Sequence, residues 1–240
     1  MNLIQDKAYV LHKRKHKETS VLIDLFTAEH GRIKAIAKGV RSGHNGKCKN
    51  LTRHFVLLNV AYKNPVYRNA YKHLSFAEPV KTLHHFTGNK LACALYINEL
   101  LTHSLPYQQA YQPLFLLYSS LLIDLEQSNL NSIDIKLRIF EKHMLSLLGY
   151  HYRFNTTCND EPIDGCAYYQ FVPGHGFMQS TYQSTSNTRN IFSGTTLLNI
   201  AQDDYTQITT RQQAKHIMRI ALQHLTGNKE IKSRKLFLSR

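Results

Sequence analysis

Between Tyr9 and Arg41 the chain reads YVLHKRKHKETSVLIDLFTAEHGRIKAIAKGVR, and no other stretch constrains the fold as strongly. Tyr9, Val10 and Leu11 open a first strand. Val21 to Phe26, rich in β-branched and apolar residues, form a second. Thr27-Ala28-Glu29-His30 is a polar turn, after which Gly31 restarts the chain. Ile33, Ala35 and Ala37 then alternate with Lys34, Ile36 and Lys38, the period of a third strand that puts Lys34 and Lys38 on one face. His12-Lys13-Arg14-Lys15-His16-Lys17 forms a loop between the first two strands, and Lys38, Arg41, Lys47, Lys49 and Arg53 follow the third. A small β-structure with cations at its loops and on one face is a surface for a polyanion.

Two more strands follow before residue 80. Ser42 to Asn50 is a Gly/Ser/Asn/Lys loop with no apolar anchor. Phe55 to Tyr62 reads as a fourth strand, and Asn64-Pro65 marks the turn after it. Tyr67, Asn69, Tyr71 and His73 alternate with Arg68, Ala70, Lys72 and Leu74 in a fifth. Five short strands with basic loops suit a small closed barrel, and the OB-fold is such a barrel, suited to single-stranded nucleic acid. Tyr9, Phe55, Tyr62, Tyr67 and Tyr71 are candidates for base stacking, with the barrel core as the competing place for each.

The charge supports this. The 240 residues carry a net charge of +14, unevenly placed: +10 over residues 1–80, −2 over 81–180 and +6 over 181–240. A positive block at one end points to nucleic acid or an anionic membrane surface more than to general solubility. The chain has no apolar stretch of signal-peptide type and no run of 18 apolar residues, so the expectation is a cytoplasmic, nucleoid-associated protein that does not span a membrane. Cys48, Cys93, Cys158 and Cys166 lack the spacing of a disulfide framework, and Cys93 falls on an apolar helical pattern as a buried thiol.

From Pro79 the texture turns helical. Leu91, Ala94, Leu95, Asn98, Leu101 and Leu105 repeat at helical spacing until Pro106, and Leu114, Leu117, Leu121, Leu122 and Leu125 mark a second helix. A third runs from an N-cap at Ser132, through Ile133, Leu137, Phe140, Met144 and Leu148, to a terminating Gly149. These three helices are expected to form a bundle. Arg138 sits at the edge of the third apolar stripe, where a guanidinium can clamp a carboxylate or pair internally. Residues 150–195 read as irregular, with a hairpin of Tyr168–Val172 and Gly176–Met178 across Pro173-Gly174-His175. Cys158 and Cys166 lie there without the paired short spacings and four ligands that a zinc ribbon needs. The last helix opens on a capping box, Thr209 with Gln212, and buries Ala214, Ile217, Ala221, Leu222 and Leu225. Lys215 and Arg219 lie one turn apart beside that face, Gly227 ends the helix, and a basic tail carries Lys229, Lys232, Arg234, Lys235 and Arg240. No phosphate loop, H-E-x-x-H or G-x-S-x-G motif is present, and the acids form no catalytic pair, so no enzyme and no cofactor is expected.

Several stretches, in order and spanning nearly the whole chain, resemble the RecO family of bacterial recombination mediators. They are residues 9–42, LYINELL at 95–101, LRIFEKHMLSLLGY at 137–150, CNDEPID at 158–164, Y-x-F followed by GF at 169–177, and IKSRKLF at 231–237. The resemblance implies an α+β chain: an N-terminal five-stranded OB-fold barrel over residues 1–80, then a mainly α-helical domain over 81–240 with a small irregular C-terminal region. It implies binding of single- and double-stranded DNA and annealing of complementary strands. It also implies work with RecR, and in some bacteria RecF, to load RecA onto strands coated by single-strand-binding protein. Some family members hold zinc on four cysteines, and this sequence resembles the zinc-free branch. The family binds the acidic C-terminal tail of single-strand-binding protein on its helical domain. Arg138, standing before Ile139-Phe140-Glu141, matches the motif arginine expected to take that tail's carboxylate.

On these grounds Lys13, Arg14, Lys15, Lys17, Lys34, Lys38 and Arg41 are the DNA-contact candidates, and Arg138, Lys215 and Arg219 the tail-binding candidates. Two rival readings remain at this point. A structural RNA-binding protein of the translation machinery would use the same basic barrel. A nuclease would need clustered carboxylates and a metal, which makes it the weaker of the two.

Overall fold

The structure is a computed structural model and describes residues 3–40, 51, 54–64, 71–80, 84–129, 132–181 and 190–237. Arg41, the 42–50 loop with Cys48, Arg53, Tyr67 and Arg240 lie outside the described residues.

Five strands close a barrel in the order β1-β2-β3-β5-β4: β1 Leu3–His16, β2 Ser20–Thr27, β3 Gly31–Ala37, β4 Leu58–Lys63 and β5 Lys72–Pro79. β3 and β5 pair in parallel and the other neighbours are antiparallel, so every strand has two partners and no edge is left open. Inside are the residues the alternation selects: Val10, Ile23, Leu25, Ile33, Ala35, Ala37, Leu58, Val60, Tyr62 and Leu74. The expected OB-fold barrel is therefore present, with two changes of detail. β1 runs on to His16, because Lys13, Arg14, Lys15 and His16 pair with Ile23, Leu22, Val21 and Ser20. The basic run is thus a hairpin arm rather than a loop. β5 starts at Lys72 and continues to Pro79, later than the tyrosine alternation suggested.

The chain divides into two compact units, Met1–Ser128 with Ile231–Arg240, and Asn129–Glu230. The first holds the barrel, α1 Gly88–Ser104 and α2 Gln112–Gln127. Tyr9 and Phe26, on the barrel's outer face, meet Phe115 and Tyr118 of α2 with ring centroids 4.9–6.4 Å apart. A bulge between Val10 and His12 interrupts the β1–β2 ladder. Asn98 of α1 donates to the Val10 and Leu11 carbonyls there, and Tyr118 donates to Asn98 in turn. A 3-10 turn, Lys232–Phe237, completes this unit: the Glu99 carboxylate accepts the Lys232 and Ser233 N–H groups at 2.9 and 2.8 Å.

The second unit contains α3 Ile133–Leu147, a three-stranded sheet ordered β7-β6-β8 (β6 Tyr168–Val172, β7 Gly176–Ser180, β8 Ile191–Ser193), α4 Gly194–Ala201 and α5 Ile208–Leu225. The expected hairpin is β6–β7. β8 is an addition to the region read as irregular, α4 follows it where no element was expected, and α3 packs on α5, whereas α1 and α2 belong to the first unit. Gly149 ends α3 at φ +92, where the Tyr150 N–H reaches back to the Leu145 carbonyl. The two side-chain caps did not form. Ser132 has helical backbone and its hydroxyl donates to the Asn129 carbonyl, and α5 begins one residue before Thr209, capped by Gln207 without a side-chain bond. Among the described residues no helix is long and apolar enough to cross a membrane.

Candidate nucleic-acid interface

Side chains directly opposite in an antiparallel ladder point to the same side of the sheet. The register therefore sorts the basic run by face. His12, Asp24 and Lys34 stand opposite one another across β1, β2 and β3, and Arg14, Leu22 and Ile36 form the next row. Both rows lie on the outer face. Lys13 and Lys15 have the opposite parity, beside Ile23 and Val21. Burial holds the Lys13 ammonium below its ordinary pKa. It also pushes His54 down, and the charge of Lys13 pushes His54 the same way. Lys17 occupies the β1–β2 turn at φ +50, and Lys38 lies one residue past β3; both are exposed. The structure thus brings Arg14 and Lys34 together on one surface and sends Lys13 and Lys15 to the other, while Arg41 is outside the described residues.

The outer rows open into a cleft of about 170 Å³ lined by His12, Arg14, Asp24, Lys34, Tyr71 and Tyr107, among others. Behind the lining residue Asp24, Arg32 is buried and ion-paired to it at 2.7 Å, and its guanidinium also donates to the Thr102 and Leu105 carbonyls. This pairing neutralises Asp24, so Arg14 and Lys34 set the sign of the cleft. Arg14 reaches the Tyr71 hydroxyl at 3.3 Å.

Tyr107 comes from the connection between α1 and α2 and is held by backbone contacts. It bridges β3 at Arg32, and the Gln108 N–H donates to the Arg32 carbonyl at 2.8 Å. Its ring lies 4.2 Å from the Arg32 guanidinium and 4.3 Å from the Lys34 ammonium. Its hydroxyl approaches the Asp24 carboxylate at 3.4 Å.

Of the stacking candidates, Tyr9, Phe55 and Tyr62 are buried and belong to the packing, which removes them as platforms. Burial, with Asp6 and Glu29 nearby, drives the Tyr62 phenol far above its ordinary pKa. Tyr71 is half-buried at the cleft. The sequence reading missed Arg32 and Tyr107. Arg32 carried a signal, since it shares the parity of Lys34, whereas Tyr107 lies 83 residues from Asp24 and carried none.

In the second unit, Arg138 is turned inward and its Nη1 lies 2.7 Å from Oε2 of Glu141, a carboxylate with no exposed surface. Lys215 and Arg219 are exposed on α5. A groove of about 270 Å³ that takes in Met218 of the same helix is lined by Lys142, Leu145, Tyr150, Tyr152 and Phe154, among others. Lys142 donates to the Ile200 carbonyl and pairs with Asp203 at 2.6 Å. Cys93 is buried, Cys158 and Cys166 are exposed thiols, and no cluster of three metal-ligating side chains occurs among the described residues.

Comparison with known proteins agrees with this architecture. Residues 1–83 match the family described as Recombination protein O N terminal, and residues 85–234 match Recombination protein O C terminal. A protein of Pseudoalteromonas atlantica named DNA repair protein RecO is 34% identical over 235 residues, 97% of this chain and 93% of its own length. Proteins of the same name from Coxiella burnetii and Yersinia pestis are 31% and 35% identical, over 96% of this chain and 96% and 92% of their own lengths.

Proposed function

Because the chain belongs to the RecO family of DNA repair proteins, we propose that it is a non-enzymatic recombination mediator. It binds single- and double-stranded DNA and anneals complementary strands coated by single-strand-binding protein. It helps RecR, with RecF where that protein takes part, to load RecA. The observation that carries this reading is the cationic outer face of the barrel, where Arg14 and Lys34 line a cleft whose acid, Asp24, is balanced by Arg32.

Annealing requires two polyanions to approach with their repulsion screened. Cations carried on the sheet supply that screening without hydrolysis, and nothing in the step needs base edges to be read. Arg14, Lys34, Lys38 and Lys17 line or border the outer surface, while Lys13 and Lys15 on the other face add to the field. If 6–10 phosphates are neutralised, affinity falls ~10³–10⁵-fold between 50 and 200 mM salt.

The acidic tail of single-strand-binding protein would bind the second unit. Lys215 and Arg219 provide its exposed cations, and the groove that takes in Met218 accepts apolar side chains. Arg138 already serves Glu141, so a clamp there shares its guanidinium between an internal and an incoming carboxylate.

The test is annealing of two complementary fluorescent oligonucleotides precoated with cognate single-strand-binding protein, intact or lacking its acidic tail, without ATP. Acceleration only with the intact tail is expected. Acceleration with both would remove the tail site, and acceleration with neither would overturn the annealing reading in favour of RNA binding.

A further inference from the structure

We propose that the outer-face cleft is a subsite for one nucleotide of single-stranded DNA, with a base stacked on Tyr107 and its flanking phosphates on Arg14 and Lys34. The inference rests on the DNA-binding reading above and assigns it a place and a mechanism.

Four observations converge on this cleft. First, Tyr107 is 39% exposed although three constraints hold it: the bridge to Arg32, the Gln108 hydrogen bond and the approach of its hydroxyl to Asp24. A tyrosine kept only for packing would be buried, as Tyr9, Tyr62 and Tyr118 are in the same unit. Second, the two cations on its ring differ in kind. Arg32 is 7% exposed and tied to Asp24 and two carbonyls, so it is held in place. Lys34 is exposed on a flexible stem. An ammonium over an exposed tyrosine is a weaker partner than a stacked base, so an arriving base displaces Lys34, which then turns to a phosphate. Third, Arg14 and Tyr71 also line the cleft, with the guanidinium 3.3 Å from the phenol oxygen, and His12 lines it with them. A guanidinium there meets a second phosphate, and Tyr71 offers a further aromatic edge. Fourth, the pairing of Asp24 with Arg32 offsets the negative charge of the acid among the described residues that line the cleft.

Stacking makes a prediction that electrostatics does not: the affinity must depend on the base itself. The probes are a short deoxythymidine oligonucleotide and the same backbone with abasic sites, both titrated into the full chain by fluorescence anisotropy. Tyr107→Leu keeps apolar volume and removes the ring. It is expected to weaken binding of the intact oligonucleotide about tenfold, leave the abasic backbone unchanged and keep the salt slope. Tyr107→Phe keeps the ring and is expected to retain the preference for the intact oligonucleotide over the abasic backbone. Arg14→Glu with Lys34→Glu is expected to weaken both probes and flatten the salt slope.

Equal losses on both probes for Tyr107→Leu would make the ring a structural pin and overturn the subsite. No loss for Tyr107→Leu alongside a loss for the charge variant would overturn the subsite and leave the DNA-binding reading standing. No loss for any variant would overturn both. An oligoribonucleotide that depends on Tyr107 more strongly than DNA does would overturn the assignment to DNA.

Discussion

Gly31 and Gln109 approach so closely that no side chain fits between them: a Cβ on Gly31 would overlap the Gln109 carbonyl, and Gly31 adopts φ +67. The α1–α2 connection is thereby laid against the start of β3, and this contact delivers Tyr107 to the cleft. Gly31→Ala is expected to cost about 1–3 kcal/mol for the left-handed backbone alone. The overlap adds displacement of the connection. The measurement is the urea midpoint with an unchanged slope, alongside single-stranded DNA affinity, and both should fall together. Lost stability with full DNA affinity would show that Tyr107 finds its place without Gly31.

The Tyr118 hydroxyl is fully buried and donates to Asn98, whose amide in turn holds the carbonyls at the β1 bulge. Removing the donor leaves a buried amide oxygen unsatisfied. Tyr118→Phe should therefore destabilise the chain by about 1–3 kcal/mol. Equilibrium denaturation checks this, and a loss within error would mean that water takes the hydroxyl's place.

Glu99 anchors the C-terminal turn through its carboxylate. Burial alone would raise its pKa, but hydrogen bonds from Ser233 and Lys232, with His103 nearby, hold it below the ordinary value. A carboxylate lowered on folding contributes stability above its unfolded pKa of ~4.3 and loses that contribution as pH falls through the folded value. Amide exchange at Lys232 and Ser233 should accelerate as pH drops below that range, after correction for intrinsic rates. Glu99→Gln should show the accelerated exchange already at neutral pH.

Arg138→Ala is not a clean probe of partner binding. It withdraws a guanidinium from the fully buried Glu141, and breaking such a pair from one side costs about 3–5 kcal/mol. Lys215→Ala and Arg219→Ala, at exposed positions, should each change stability by under ~0.5 kcal/mol. Replacing the pair together, Arg138→Leu with Glu141→Leu, should recover most of the lost stability. Calorimetric titration of an acidic peptide with a free terminal carboxylate into that double variant then reports on the guanidinium. Full affinity there would exclude Arg138 as a clamp.

What the sequence determined by itself was local and periodic. The alternation of Ile33, Ala35 and Ala37 specified β3 and its buried face, and the leucine spacing specified α1 and α2, because burial of one face at period 2 or 3.6 is written in neighbouring residues. Family-specific stretches carried the identity for the same reason. The tertiary structure decided what depends on partners distant in the chain. The β1–β2 register separates Arg14 from Lys13 and Lys15, and a run of like charges contains no information about register. Packing of Phe115 and Tyr118 on the barrel consumed Tyr9. Ser132 and Thr209 had the composition of caps, yet their backbones settled otherwise. Tyr107 reached the cleft only because a connection remote in sequence lies against Gly31, a contact that exists once the barrel and its helices have assembled.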